Sequence, residues 1–199
     1  MNKKYTFAID IDGVLRHTLV KMVEIYNKTF NDTKTCDDVF DFMCEKSFPR
    51  IEKETGINPS EWFFQYHSKE IFEDSLPFDG AVEAVKELEK YGKVIILSYQ
   101  KTLENKIQAL KWLEKYGFPT NDVCFLKDKP LLHTDVLIDD NDWNFKNSHV
   151  KIGVLVDAPY NKDIKLIDVI DSAKDITIML KVDSICEFVK EIETILNYE

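Results

Sequence analysis

Apolar residues along this chain follow two alternating rhythms, short unbroken runs and longer stretches spaced at three and four. The first run, residues 4–10 (Lys-Tyr-Thr-Phe-Ala-Ile-Asp), predicts a short buried strand ending in an acidic turn. From Leu19 onward, Met22, Val23, Tyr26 and Phe30 repeat at helical spacing. Residues 31–75 then change character: they are rich in aromatic and charged residues and lack a strand-like run. They also contain Asn58-Pro59-Ser60-Glu61, a helix start with proline in the first turn. Past Pro77 the alternation becomes regular. Asp79 is placed to cap a helix with stripe Val82, Val85 and Leu88, which Gly92 can end. A strand follows at 93–98. Thr102 then caps a helix in which Leu103, Ile107, Leu110 and Leu113 are expected to face inward, with Gly117 at its end. Further strands are expected at 122–126, 134–139, 151–156 and 176–180. A last helix over 185–196 has its stripe at Phe188, Val189, Ile192 and Ile195.

Strands alternating with helices of this length predict right-handed βαβ units and an α/β fold built on a doubly wound parallel sheet. The strands are continuously apolar, as strands covered on both faces should be. The expected organisation is an α/β core made of residues 1–30 and 76–199, with residues 31–75 forming a small helical cap inserted after the first strand and helix. No internal repeat, low-complexity segment or interdomain linker interrupts this pattern.

Composition narrows the picture only a little. A chain of 199 residues, 44% hydrophobic and 31% charged, suits one domain with a substantial core and an insertion. The net charge of −10 argues against nucleic-acid duplexes and acidic membranes as partners, while leaving room for a small anionic substrate held by a metal ion and a lysine. The longest apolar runs, such as Val94–Leu97, are strand-sized, far short of a membrane span. The N-terminal apolar run meets acidic residues at once and does not read as a signal peptide, so a cytoplasmic location is expected. Cys36, Cys44, Cys124 and Cys186 form no C-x-x-C pair and have no histidine at ligand spacing, so they are expected to be reduced and structural.

The chemistry sits at the strand ends. The first strand ends Asp10-Ile11-Asp12-Gly13, the second in Ser98, and the fourth Asp139-Asp140-Asn141. A parallel sheet gathers all of these at one edge, where ligands of such folds bind. Clustered carboxylates repel one another unless a cation sits among them, and hard oxygen donors suit Mg²⁺. Asp10 and Asp12 are two apart and so share a side of an extended strand, while Gly13 permits a tight turn. One carboxylate can attack a phosphoryl group while the other handles the leaving-group proton. Ser98 and a lysine such as Lys129 can hold the remaining phosphoryl oxygens. Neither G-x-x-x-x-G-K-[ST] nor G-x-G-x-x-G occurs, so a glycine-rich phosphate loop is excluded.

Taken in order, Asp10-Ile11-Asp12-Gly13-Val14-Leu15, Ile95-Ile96-Leu97-Ser98, Lys129 and Leu137-Ile138-Asp139-Asp140-Asn141 resemble the four motifs of the haloacid dehalogenase superfamily across about residues 5–145. The resemblance implies that Asp10 forms a phospho-aspartate. It implies that Asp12 protonates the leaving oxygen, then activates water, and that its backbone carbonyl binds Mg²⁺. Ser98 and Lys129 would bind phosphate. Asp139 would be the direct metal ligand of the acidic pair, with Asp140 assisting. Lys127 is a second lysine candidate; Lys129 is preferred because it lies ten residues before Asp139, as in the 5′(3′)-deoxyribonucleotidase branch. Val14, the Pro77…Gly80-Ala81-Val82-Glu83-Ala84-Val85 helix and the Ala158-Pro159-Tyr160-Asn161 turn point to the same branch. Arg16-His17 and Tyr99-Gln100 depart from it, so substrate choice stays open. Trp62 and Phe72 are candidates for stacking on a nucleobase or for packing the insertion, and Tyr99 is a further candidate for specificity. The resemblance implies a Mg²⁺-dependent phosphomonoesterase acting on nucleoside monophosphates, with homodimerisation left open. The alternatives are a phosphatase of another small phosphomonoester such as a sugar phosphate, or a catalytically silent binding module.

Overall fold

The apolar runs become β1 (Tyr5–Ile9), β2 (Gly92–Ser98), β3 (Val123–Phe125), β4 (Val136–Asp139), β5 (Ile152–Val156) and β6 (Ile178–Val182) in a computed structural model describing residues 5–197. They form one sheet of order β3-β2-β1-β4-β5-β6, parallel throughout. The chain builds outward from β1 to β3, then returns to the other side of β1 for β4. The winding therefore reverses between β1 and β4, the position where such sheets open a crevice beyond their carboxyl ends. The register is tight there: Ile9 pairs with Ile96 on one side and Ile138 on the other, and the Asp10 amide donates to the Ile138 carbonyl at 3.0 Å.

The helices are α1 (Thr18–Phe30), α2 (Pro49–Thr55), α3 (Pro59–Glu61), α4 (Ser68–Asp74), α5 (Ala81–Leu88), α6 (Leu103–Tyr116), α7 (Leu166–Ser172) and α8 (Ile185–Asn197). Strand alternation divides the core. Phe7, Ile9, Ile96, Ile138 and Val154 pack beneath α5, α6 and α8, while Ala8, Leu97, Leu137 and Leu155 face Phe145, Val150 and Val169 on the other side. Thr102 caps α6 by accepting from the Asn105 amide, and Gly117 ends that helix at φ +77°. Asn58 caps α3, which runs on through a π-helical turn at Trp62–Tyr66. At α5 the cap differs from the expectation: Gly80, not Asp79, holds the N-cap position and no side chain caps it.

One further expectation gives way to packing. Leu103, Ile107 and Leu110 do not face inward; Leu103 is 74% exposed, and the buried face of α6 is Asn105, Gln108, Ala109, Trp112 and Leu113. The helical period is intact but rotated. Two of the inward positions are polar because the Asn105 amide donates to the Phe64 carbonyl at 3.1 Å and Gln108 reaches Ser68 at 3.4 Å. The buried side of α1 (Met22, Val23, Ile25, Tyr26, Phe30) packs with Phe48, Ile51, Trp62, Phe63, Ile71 and Phe72 in a cluster of its own. The inner face of α1 and the helices of residues 31–75 thus share one apolar cluster.

Trp62 lies inside that cluster, its ring 5.7 Å from Phe30, 4.9 Å from Phe63 and 4.2 Å from His67. Replacing Trp62 by Ala should destabilise the protein by about 3–5 kcal/mol through the cavity left behind. Urea titration reads this directly, and an unchanged midpoint would contradict the packing role.

Candidate active site

β1 delivers Asp10 into the crevice, and the chain then turns sharply. Leu15 and Arg16 amides both donate to the Ile11 carbonyl at 2.9 Å, and Gly13 adopts φ +77°. Glycine is required twice over at position 13, since a Cβ there would lie 1.8 Å from Asp140 Oδ2. β4 delivers Asp139 and Asp140 beside it. Oxygens of Asp10, Asp139 and Asp140 come within 4.8 Å of one another, and all three residues are buried. Lys129, on a short 3₁₀ turn after β3, reaches Asp10 Oδ1 at 2.9 Å and Asp139 Oδ2 at 2.7 Å. Lys127 stays on the surface. Asp139 Oδ1 accepts from the Asn141 amide at 3.0 Å and from Asn144 Nδ2 at 2.9 Å, so both its oxygens are occupied. Asp140 accepts from the Tyr160 hydroxyl, and Asn161 ties down its backbone carbonyl at 2.8 Å.

At the end of β2, Ser98 is buried, and its hydroxyl accepts from Gln100 Nε2 at 3.1 Å. The same amide nitrogen donates to Asp12 Oδ2 at 2.9 Å. Asp12 Oδ1 takes three donors: Arg16 Nε at 3.1 Å, Arg16 Nη2 at 2.7 Å and the Thr18 hydroxyl. Asp10, Asp12, Ser98, Lys129, Asp139 and Asp140 thus meet at one sheet edge. Arg16, Thr18, Gln100, Asn144 and Tyr160, which orient them, were not assigned from sequence. Only the departures at Arg16 and Gln100 and the turn around Tyr160 gave a signal.

The aromatic candidates fare differently. Trp62 and Phe72 are buried within the helical insert and present no open face for a base; Phe72 stacks on Phe64 at 5.8 Å and covers the Arg16 guanidinium at 4.9 Å. Their apolar rings fill the insert's core, which is where burial favours them. Tyr99, directly after Ser98, is 46% exposed. Phe42, unassigned from sequence, is 49% exposed and meets the Tyr160 ring edge-on at 5.5 Å. His17 packs against Phe78 at 3.7 Å, outside the acidic cluster.

The electrostatics favour a cation. Burial lifts the Asp10 carboxyl to about 7 against the pull of Lys129, and the neighbouring Asp139 and Asp12 add to the rise. Asp140 is raised well above the ordinary carboxylate range by burial, then by Asp139 and Asp10. For Lys129 burial opposes the charge, but Asp10 and Asp139 outweigh it and raise the ammonium. Asp10 Oδ1 is buried, and among the described residues the Lys129 ammonium at 2.9 Å is its one polar side-chain partner. Four carboxylates here face two cationic side chains, Lys129 and Arg16. The deficit and the all-oxygen donor set fit a hard divalent ion.

A doubly wound sheet with these acids at the switch point defines a phosphohydrolase of the haloacid dehalogenase type. Solved structures share the fold: a haloacid dehalogenase family hydrolase from Deinococcus radiodurans (TM-score 0.61, 10% identity, 99% of this chain and 98% of that one) and a haloacid dehalogenase-like hydrolase from Streptococcus pneumoniae (TM-score 0.60, 12% identity, 96% and 100%). Within this class the chain belongs to the family described as 5′ nucleotidase, deoxy (pyrimidine), cytosolic type C protein, whose profile matches residues 4–184. A 5′(3′)-deoxyribonucleotidase from Clostridium acetobutylicum is 29% identical over 170 residues, covering 81% of this chain and 86% of that protein. The chain is a phosphoric monoester hydrolase. Among the described residues no helix is long and apolar enough to cross a membrane.

The raised Asp10 has a thermodynamic signature. Its folded value of about 7 lies above the 3.8 of an ordinary carboxyl, so between those values the folded chain holds a proton that the unfolded chain has released. Stability from this group is therefore full at low pH and is lost as pH rises through that window. In metal-free buffer, Asp10→Asn should raise the unfolding temperature near pH 8 and change it little at about pH 4. Calorimetry at both values tests this, and a lowered unfolding temperature near pH 8 would refute the buried repulsion.

Proposed function

We propose that this chain releases phosphate from nucleoside monophosphates, 5′(3′)-deoxyribonucleotides foremost, in a Mg²⁺-dependent reaction through a phospho-aspartate at Asp10. The observation that carries the reading is the meeting of Asp10, Asp139, Asp140 and Lys129 beyond β1 and β4, with Ser98 at the end of the neighbouring strand β2. Asp10 attacks phosphorus, the ester P–O bond breaks, and the leaving oxygen takes a proton from Asp12. Asp12 then takes a proton from the water that attacks the phospho-aspartate, which frees phosphate and restores Asp10. Ser98 and Lys129 hold phosphoryl oxygens through both steps. When bound, Mg²⁺ supplies charge neutralisation for the acids and the phosphoryl group. Asp10, Asp140 and the Asp12 backbone carbonyl would hold it. Asp140 takes precedence over Asp139, whose oxygens are spent on Lys129, Asn141 and Asn144.

The helical segment 31–75 serves in this reading as a cap, and its exposed Phe42, rather than the buried Trp62 or Phe72, faces the base. Tyr99 borders the opening beside Ser98. A general phosphatase of sugar phosphates would need no such aromatic face.

Phosphate release should require added Mg²⁺ and stop in excess EDTA, with Ca²⁺ a poor substitute because its looser coordination misplaces the phosphoryl group. In a panel, deoxynucleoside monophosphates should exceed sugar phosphates in kcat/KM; the reverse ranking would replace the nucleotidase reading with the general phosphatase. Phe42→Ala should raise KM for nucleotides about 10–100-fold, the loss of one stacking contact, and spare p-nitrophenyl phosphate. Equal KM changes for both substrates would remove Phe42 from the base site.

A further inference from the structure

Arg16 has no solvent exposure, and the chemistry above makes no demand on it. Its guanidinium uses every face. Nε and Nη2 fork onto Asp12 Oδ1, and Nη1 donates to the Phe72 carbonyl at 2.8 Å. The Phe72 ring lies 4.9 Å on one side and the Trp112 ring 5.1 Å on another. Phe72 belongs to the last turn of α4, where a cation suits the helix end and the unpaired carbonyls need donors. The backbone repeats the connection: Arg16 bridges to Asp12 and to Pro77, and the His17 amide donates to the Leu76 carbonyl at 2.9 Å. Trp112 in turn donates to the Ser75 carbonyl at 2.7 Å. The outgoing and returning strands of the insert are thus clamped together around one guanidinium.

The two oxygens of Asp12 are consequently unequal. Oδ1 is filled by Arg16 and Thr18, while Oδ2 has a single donor, Gln100, which also bonds Ser98. We propose that Arg16 is a positioning residue that fixes the Asp12 carboxylate so that Oδ2 is the oxygen exchanging the leaving-group proton, and that it anchors this geometry in the return helix of the insert. This rests on the reading of Asp12 as the proton donor. A flexible lysine, a point charge without the planar fork, cannot reproduce the arrangement.

The test compares wild type, Asp12→Asn, Arg16→Met, Arg16→Lys and the Asp12→Asn/Arg16→Met double variant on a deoxynucleoside monophosphate and on p-nitrophenyl phosphate, whose leaving group needs little protonation. Arg16→Met should lower kcat/KM for the nucleotide about tenfold or more and kcat/KM for the aryl phosphate by no more than about threefold, since kcat/KM ends at departure of the leaving group and excludes the later hydrolysis, in which Asp12 serves both substrates alike. Arg16→Lys should show the same pattern, and the double variant should be no slower than Asp12→Asn alone. Equal losses on both substrates, or losses that multiply in the double variant, would overturn the role of Arg16. If Asp12→Asn itself fails to discriminate the two leaving groups, the proton-donor reading falls first and the inference falls with it. Circular dichroism and melting curves establish folding. Should neither Arg16 variant fold, Phe72→Leu, which strips the ring from the guanidinium but keeps the carbonyl, carries the same comparison.

Discussion

Burying carboxylates side by side is the constraint around which this molecule is arranged. The parallel register that pairs Ile9 with Ile138 sets Asp10 and Asp139 on adjacent strand ends, where neither can retreat into water. Everything near them manages the resulting charge. Lys129 is buried to bridge two of the acids, Asn141 and Asn144 donate to a third oxygen, and Tyr160 donates to Asp140. What the protein leaves uncompensated is the room for a hard cation and a phosphoryl group. In this sense the site is an electrostatic debt held in place by a rigid sheet.

The fold and the acidic motifs were legible in the sequence because both are local. Continuous apolar runs announce buried parallel strands, and residues at the ends of such strands share an edge by topology alone. Lys129 was preferred to Lys127 for its position ten residues before Asp139, and of the two only Lys129 enters the interior. What sequence periodicity mistook was the orientation of a helix that packs on the insert as well as on the sheet. In α6 the leucines and isoleucine at 103, 107 and 110 form the more apolar stripe, yet Asn105 and Gln108 turn inward because the insert offers them hydrogen-bond partners. No periodicity records a partner supplied by residues 64 and 68.

The aromatic residues failed to speak for a similar reason. Trp62 and Phe72 look alike in sequence whether they stack on a base or pack in a core, and in the structure both lie in the cluster with Phe30, Phe48 and Phe63. Phe42, in a loop without helical period, gave no pattern at all; its meaning comes from the Tyr160 ring 5.5 Å away. Arg16 stood out only as a departure, and its importance lies in contacts that span residues 12, 72 and 112.

The inward polar face of α6 carries a consequence for how this molecule could be rebuilt. That helix covers the sheet with Ala109, Trp112 and Leu113 while offering Asn105 and Gln108 as a ledge on which the insert rests. Insert and core are therefore not separable modules joined at two linkers. A chimaera that exchanged the insert alone would take from the buried Asn105 side-chain nitrogen the Phe64 carbonyl it donates to, at the expense that orphaned polar groups always carry. Transplanting a foreign recognition surface onto this scaffold means grafting a seam as well, with positions 105, 108 and 112 travelling along with the helices they support.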